Sequence, residues 1–138
     1  MDDIKYQDFE RIIKYAMIYG LANERSDVLQ QCGVFHRKNK KRAPDDRVPL
    51  DGDDREAFGS LCLYAVASAG SADDAVSSRI CRITCEHSVL LTQDNRASVM
   101  AVADMLKDKR KGKECPFYLL HESLKKEEAG VQACGAEQ

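Results

Sequence analysis

Apolar side chains recur every three or four residues near the start of the chain, and this rhythm limits the folds that are available. Over positions 4–22 the recurring residues are Phe9, Ile12, Ile13, Ala16, Met17 and Leu21. This spacing places their side chains on one stripe of an α-helix. We therefore expect a helix over 4–22 that buries this stripe and is capped by Asp2 or Asp3.

The same rhythm returns later in the chain. Ser26 is a candidate cap for a short helix of about two turns, which Gly33 would end. Asp53 or Asp54 can cap a central helix that is apolar on nearly all sides and ends before Gly70.

Three further helices are expected after Gly70. Ser71 is the candidate cap of the first of them. Thr92 or Asp94 can cap another helix, and Pro116 suits the first turn of a last one.

Residues 72–91 fit two structures. As a helix, Val76, Ile80 and Ile83 share one apolar face. As a strand, apolar and polar residues alternate from Cys81 to Leu91. We choose the helix, because few other segments can supply a pairing strand and a lone strand leaves its backbone groups unpaired. A short β segment at 80–91 remains the alternative.

The length of 138 residues and the 43% share of hydrophobic residues suit one compact domain. Two Pro and one Gly between positions 44 and 52 interrupt any helix there, so 36–53 is expected to be a long, exposed, charged loop. The prediction is a mostly α protein with a single bundle of about five to six helices over 1–126. A flexible tail is expected over 127–138.

The N-terminus is acidic and no long apolar stretch follows it, so neither a secretory signal nor a membrane span is expected. The six Cys are widely spaced, which in a reducing compartment favours buried free thiols over disulfides. The chain is therefore expected to be intracellular and cytoplasmic. In a eukaryotic host the segment 37–42 would also suit a nuclear import signal.

Two basic clusters stand out against a net charge of −2. Each carries five cations: Arg37, Lys38, Lys40, Lys41 and Arg42 in the first, and Lys107, Lys109, Arg110, Lys111 and Lys113 in the second. Both are expected at helix ends or in loops, where their side chains could reach phosphates. If the clusters lie together, they would form one cationic groove, although the acids over 45–56 could neutralise the first cluster. Ordinary solvation of helix ends is the competing interpretation.

These clusters lead to the hypothesis of a non-enzymatic interaction protein without a cofactor, an accessory subunit or inhibitor of a larger assembly. The partner would be an acidic protein surface or the backbone of RNA or DNA, and the oligomeric state stays open, a homodimer included. Sequence-specific reading of bases is not expected, because Phe35 is the only aromatic residue near the first cluster.

Thiols and imidazoles offer two alternatives. Five residues are candidate zinc ligands in a zinc-stabilised regulatory module: Cys81, Cys85, His87, Cys115 and His121. A Cys/His enzyme is the less favoured alternative, because the sequence contains no nucleophile elbow, phosphate-binding loop or dinucleotide-binding motif. No catalytic residue is therefore assigned.

Overall fold

The computed structural model describes residues 3–108 and 115–128. It is 77% helical, which confirms the predicted all-α class. Its six helices are α1 (Tyr6–Ala22), α2 (Ser26–Asn39), α3 (Gly52–Ala69), α4 (Asp74–Glu86), α5 (Gln93–Leu106) and α6 (Pro116–Glu128). Two short strands, β1 (Asp3–Lys5) and β2 (Arg47–Pro49), and one 3-10 turn (Ser88–Leu90) complete these segments.

The centre of the bundle is a pair of parallel helices, α1 and α3. Phe9 stacks on Phe58 near the start of both helices, with ring centroids 5.6 Å apart. Toward their far ends Tyr19 stacks on Tyr64 at 4.8 Å. Helix α2 packs back along α1, while α4 and α5 pack on α3 and α6 closes over both of them. The end of α2 therefore lies at the end of the bundle where α1 and α3 begin.

Helix α2 is twice as long as the sequence suggested. It passes through Gly33 and continues to Asn39, because Val28, Cys32, Phe35 and Asn39 form one buried stripe against the core. Tertiary packing of this stripe outweighs the helix-ending tendency of glycine. The first four residues of the expected loop 36–53 are therefore helical.

The rest of that expected loop is also partly ordered. Strand β2 pairs antiparallel with β1, and Ile4 lies opposite Val48 with both side chains buried. Leu50, just after β2, is buried as well. Three-residue strands are too short to show an alternating pattern in the sequence. The interpretation of 36–53 as an exposed loop is therefore wrong for the helix end and for the residues anchored by this small sheet.

Between positions 74 and 90 the chain is helical, so the alternative of a β segment at 80–91 is wrong. Helix α4 begins after Asp73, whose side chain accepts a hydrogen bond from the Val76 backbone N–H at 2.9 Å. Asp73, rather than the expected Ser71, is the cap. Of the alternating polar residues on α4, Arg82 and Glu86 are exposed, whereas Thr84 is buried and its hydroxyl donates to the Ile80 carbonyl oxygen at 2.9 Å.

The other predicted caps are partly confirmed. Thr92 caps α5 by accepting from the Asn95 N–H at 3.1 Å. Helix α1 follows Lys5, and α3 follows Asp51, neither with a side-chain cap, so the predicted aspartate caps at these two helices are wrong. Gly52, the first residue of α3, has φ +54°, a value that glycine adopts without strain.

Two residues of the predicted buried stripe on α1 are exposed instead. The exposed fraction is 36% for Met17 and 65% for Leu21. The neighbouring helices cover α1 on the side of Phe9, Ile12 and Ala16 and leave these two side chains uncovered. No helix among the described residues is both long and apolar enough to cross a membrane.

The thiols follow the prediction at four positions. Cys32, Cys62, Cys81 and Cys115 are free and buried. Burial raises the pKa of Cys32 to about 11 and raises that of Cys62 further, so both are protonated near neutral pH. Cys85 is disulfide-bonded, contrary to the expectation of free thiols.

Candidate functional site

The first basic cluster lies on the last turn of α2 and on the turn that follows it. Arg37 and Lys38 belong to the helix, Lys40 is its C-terminal cap residue, and Lys41 and Arg42 follow. Cations at this end oppose the negative pole of the helix dipole, which accounts for part of their local stability. The cluster is thus carried by regular structure and not by an open loop.

The supporting residues on α2 are held firmly. Phe35 is almost fully buried and meets Phe9 edge to face, with ring centroids 5.3 Å apart. Asn39 is buried too, and its Nδ2 donates to the Phe35 carbonyl oxygen at 2.9 Å. Together they fix the direction in which the final turn of α2 leaves the bundle.

Two of the five cations in this cluster are tied to the protein itself. Lys38 Nζ lies 2.9 Å from Asp54 Oδ2 and 6.0 Å from the centre of the Phe35 ring. Arg42 donates from Nε to Asn39 Oδ1 at 2.6 Å, and from Nη1 to a backbone carbonyl oxygen at 3.0 Å. These two side chains help to connect α2 with β2 and α3, so they are less available to a partner.

The other three cations, Arg37, Lys40 and Lys41, are exposed. None of them hydrogen-bonds or pairs with another residue of the described segments. The Arg37 side chain lies over Gly33, where an added Cβ would be 3.2 Å from Arg37 Nη1. The end of α2 therefore presents three unneutralised positive charges within one turn of chain.

The acidic segment 45–56 does not neutralise these three charges. Asp54 pairs with Lys38, and Asp45 lies 3.8 Å from Lys5 Nζ. Asp46 Oδ2 accepts a hydrogen bond from the Ala43 N–H at 2.8 Å. These acids thus stabilise the turn and the small sheet, and none of them pairs with Arg37, Lys40 or Lys41.

The second cluster is mostly outside the described residues: Lys109, Arg110, Lys111 and Lys113. Its first member, Lys107, pairs with Asp104 at 2.8 Å. The hydrogen bond with Asp104 raises the pKa of Lys107, and the same bond lowers the pKa of Asp104. The one cation of this cluster that can be described is therefore already neutralised.

The two clusters do not start from the same end of the bundle. Lys38 reaches the first turn of α3, whereas Leu106 at the end of α5 packs against Gly70, just after the last turn of α3. The 18 residues of α3 span about 27 Å at 1.5 Å per residue. The described residues therefore do not form the single cationic groove that the sequence suggested as one arrangement.

A groove of about 460 Å³ runs along α1 beside the end of α2. It is lined by Gln7, Glu10, Arg11, Ile13, Lys14, Met17 and His36. The only carboxylate in this lining is that of Glu10, which accepts a hydrogen bond from the Tyr6 hydroxyl at 3.2 Å. Arg11 Nε is buried and has no hydrogen-bond acceptor within the described segments. The groove is thus locally positive in a protein that is negative as a whole.

The candidate zinc ligands are not brought together. Within 3–108 and 115–128 no three His, Cys, Asp or Glu residues are grouped so that they could hold a metal ion. Cys85 Sγ lies 3.1 Å from Ser123 Oγ, and Cys115 Sγ donates to the Lys107 carbonyl oxygen at 3.1 Å. Both sulfur atoms are buried next to α6, that of Cys85 in a disulfide and that of Cys115 in a free thiol.

The two candidate histidines lie in different environments. His87 ends α4, and its Nε2 is 4.0 Å from Asp8 Oδ2. Burial lowers the pKa of His87 although the carboxylate of Asp8 acts in the opposite direction. His121 on α6 has its Nε2 3.9 Å from Asp104. Within the described segments no hydrogen bond joins either histidine to a cysteine thiol.

Sequence reasoning did not find the groove along α1. It placed Met17 in the core and assigned no role to Arg11 or Lys14. A usable signal exists, because positions 7, 10, 14, 17 and 21 also follow helical spacing. Two such stripes on one helix indicate one face toward the core and another available for contact.

No protein-family model matches this chain significantly, and neither does any curated protein or any solved structure. The function is therefore inferred from the chemistry and geometry described above.

Proposed function

We propose that this chain is a non-enzymatic interaction protein that docks on a macromolecular partner through the end of α2. The partner contributes anionic groups, either carboxylates of an acidic protein surface or phosphates of a nucleic-acid backbone. Such a protein would serve as an accessory subunit or as an inhibitor of a larger assembly. The docking residues are Arg37, Lys40 and Lys41.

One observation supports this proposal most strongly: these three cations remain exposed and unpaired although carboxylates are close by in the sequence. Lys38 and Arg42, in the same segment, are held by internal contacts. A segment that only needed solubility or a compensated helix dipole would not require this separation of free and bound cations. The free ones keep their full charge for an anion outside the chain.

The rigid support of the cluster favours recognition over nonspecific attraction. Phe35 and Asn39 anchor the last turn of α2 to the core, so the backbone under the cations does not have to be ordered on binding. Less conformational entropy is then lost when a partner binds. The backbone positions that carry the cations are thus already in place before a partner binds.

The proposal is tested by binding titrations with three anionic probes: duplex DNA, single-stranded RNA and polyglutamate. The variant R37Q/K40Q/K41Q removes the three free cations. The matched control R79Q/R82Q/K126Q removes three exposed cations from α4 and α6, and so leaves the net charge equal in both variants. The first variant should weaken binding about tenfold or more, whereas the control should weaken it about twofold or less, because only direct contacts add strongly to affinity.

The choice of probe separates the two partner classes. Tighter binding of either nucleic acid than of polyglutamate at equal salt assigns the partner to nucleic acids, and the reverse order assigns it to acidic proteins. Equal losses in the two variants would show that only net charge matters and would contradict the proposal. Failure of the wild-type protein to bind any of the three probes would also contradict it.

A further inference from the structure

The outer face of α1 is organised like the contact face of a helix pair. Its residues recur in steps of three, one, three, three, one and three positions, which place them on one side of the helix over four turns, and none of them is in the buried core: Gln7, Glu10, Arg11, Lys14, Met17, Ile18 and Leu21. Phe9, Ile12 and Ala16 occupy the opposite, buried face. Side chains at such intervals can receive the side chains of a second helix.

The second half of this face is apolar. Met17, Ile18 and Leu21 are 36%, 43% and 65% exposed. Single exposed apolar residues are common on protein surfaces, but three within two turns form a continuous patch. Burying them would release ordered water, so the patch favours contact with another apolar surface.

The first half of the face is cationic. Arg11 and Lys14 line the groove, and the carboxylate of Glu10 accepts a hydrogen bond from the Tyr6 hydroxyl. The buried Nε of Arg11 has no acceptor among the described residues, so its guanidinium is incompletely paired. His36 lines the same groove, and Lys40 follows it one turn later on α2. Carboxylates are the groups that complement this half.

We infer that the outer face of α1 binds an acidic amphipathic helix of a partner protein. Carboxylates of that helix would pair with Arg11 and Lys14, and its apolar residues would cover Met17, Ile18 and Leu21. From Gln7 to Leu21 the face is about 21 Å long, which matches about four turns of a bound helix. This inference rests on the proposed function and specifies its partner as a protein, because a phosphate backbone offers no surface for the three apolar side chains.

The test uses a synthetic helical peptide of about three heptads, with leucine at the first and fourth positions, glutamate beside them and alanine elsewhere. A matched peptide carries lysine in place of every glutamate. Binding to the full-length protein is measured by calorimetry. The acidic peptide should bind at least about tenfold more tightly than the basic one, because only the acidic peptide complements Arg11 and Lys14.

Two variants on α1 and one control locate the binding site. M17S/I18S/L21S removes the apolar patch, and R11Q/K14E removes the cationic half. M105S/Y118S/L119S removes three side chains from α5 and α6 that are 75%, 42% and 53% exposed. All replaced apolar side chains are at least one third exposed, so the fold should be retained, which thermal unfolding verifies. Each α1 variant should weaken the acidic peptide about tenfold, and the control less than about twofold.

Four results would overturn the inference. The first is equal affinity for the acidic and the basic peptide, and the second is an equal loss of affinity in the α1 variants and in the control. The third is binding of duplex DNA or of anionic vesicles at the α1 face in place of the peptide. The fourth is a wild-type dimer that M17S/I18S/L21S converts to a monomer.

The variant R37Q/K40Q/K41Q separates this inference from the proposed function. If it binds every anionic probe as well as wild type while the α1 variants lose the peptide, the docking role of the α2 end fails and the α1 face remains.

Discussion

The chain is rich in lysine and arginine at the ends of both α2 and α5, but the described cations of the two ends have different surroundings. At the end of α2, Arg37, Lys40 and Lys41 are free, and the turn beneath them is held in the core. At the end of α5, Lys107 is paired with Asp104. Charge density in a sequence therefore does not show which cations are available. Whether a cation is available depends on the carboxylates that lie near it in space, and these can be far away in the sequence.

The depth of support also differs between the two ends. Below the free cations of α2 lie Phe35, almost fully buried, and Asn39. Near the end of α5, Leu106 is only partly buried where it packs against Gly70, and Met105 is 75% exposed. The end of α2 thus combines free charge with a fixed backbone, and this combination makes it the better candidate for docking. The next three predictions test this difference, from the largest expected effect to the smallest.

Removal of the Phe35 ring should have the largest effect. F35A should reduce the free energy of unfolding by about 3–5 kcal/mol, because a ring packed against Phe9 is replaced by a cavity. The matched change at the other end, M105A, should stay within about 0.5 kcal/mol. Chemical denaturation of both variants measures these values. A loss of similar size in the two would contradict the difference in support.

Removal of the Asn39 side chain should have an intermediate effect. N39A should cost about 1–3 kcal/mol, because it removes two hydrogen bonds of the Asn39 amide, a buried one to the Phe35 carbonyl oxygen and a partly buried one from Arg42 Nε. D104A, which breaks the exposed pair with Lys107, should leave the unfolding midpoint nearly unchanged. Thermal unfolding at one pH compares the two. A larger shift in D104A than in N39A would place the stronger support at the end of α5.

The smallest effect is a pH dependence at the end of the bundle where α1 begins, because His87 Nε2 lies 4.0 Å from Asp8 Oδ2 in the first turn of α1. Burial lowers the pKa of folded His87 below the ordinary value of 6.5, so the unfolded chain takes up a proton first as the pH falls. The free energy of unfolding that depends on neutral His87 is therefore fully present above pH 6.5, and it decreases as the pH falls below that value. Unfolding measured from pH 7.5 to 5 should show this decrease, and H87Q should reduce its slope. An unchanged slope in H87Q would exclude His87 as its source.

Much of the helical architecture was predictable from local signals. The rhythm of Ile12, Ile13 and Ala16 and the cap at Thr92 belong to single segments, and the structure confirms them. The length of α2 was underestimated because Gly33 was given more weight than the stripe that continues through Phe35. Helix propensity at one glycine is weaker than the burial of a large aromatic side chain.

Features that depend on distant pairs were not predictable. Strands β1 and β2 are separated in the sequence by the whole of α1 and α2, and each is too short to be recognised alone. The pairing of Lys38 with Asp54 joins residues on different helices. Leu21 is exposed because the helices that pack on α1 do not cover its side chain. The basic cluster was thus found in the sequence, whereas its division into free and bound cations appeared only in three dimensions.

The central claim is that the free cations of α2 form the docking surface. It is tested most directly by lysine acetylation of the intact protein, followed by mass spectrometry, with and without the anionic probe that binds most tightly. Without the probe, Lys40 and Lys41 should react faster than Lys38 and Lys107, which are held by carboxylates. With the probe, Lys40 and Lys41 should become protected while Lys107 does not change. Protection of Lys107 with continued reaction at Lys40 and Lys41 would contradict the claim.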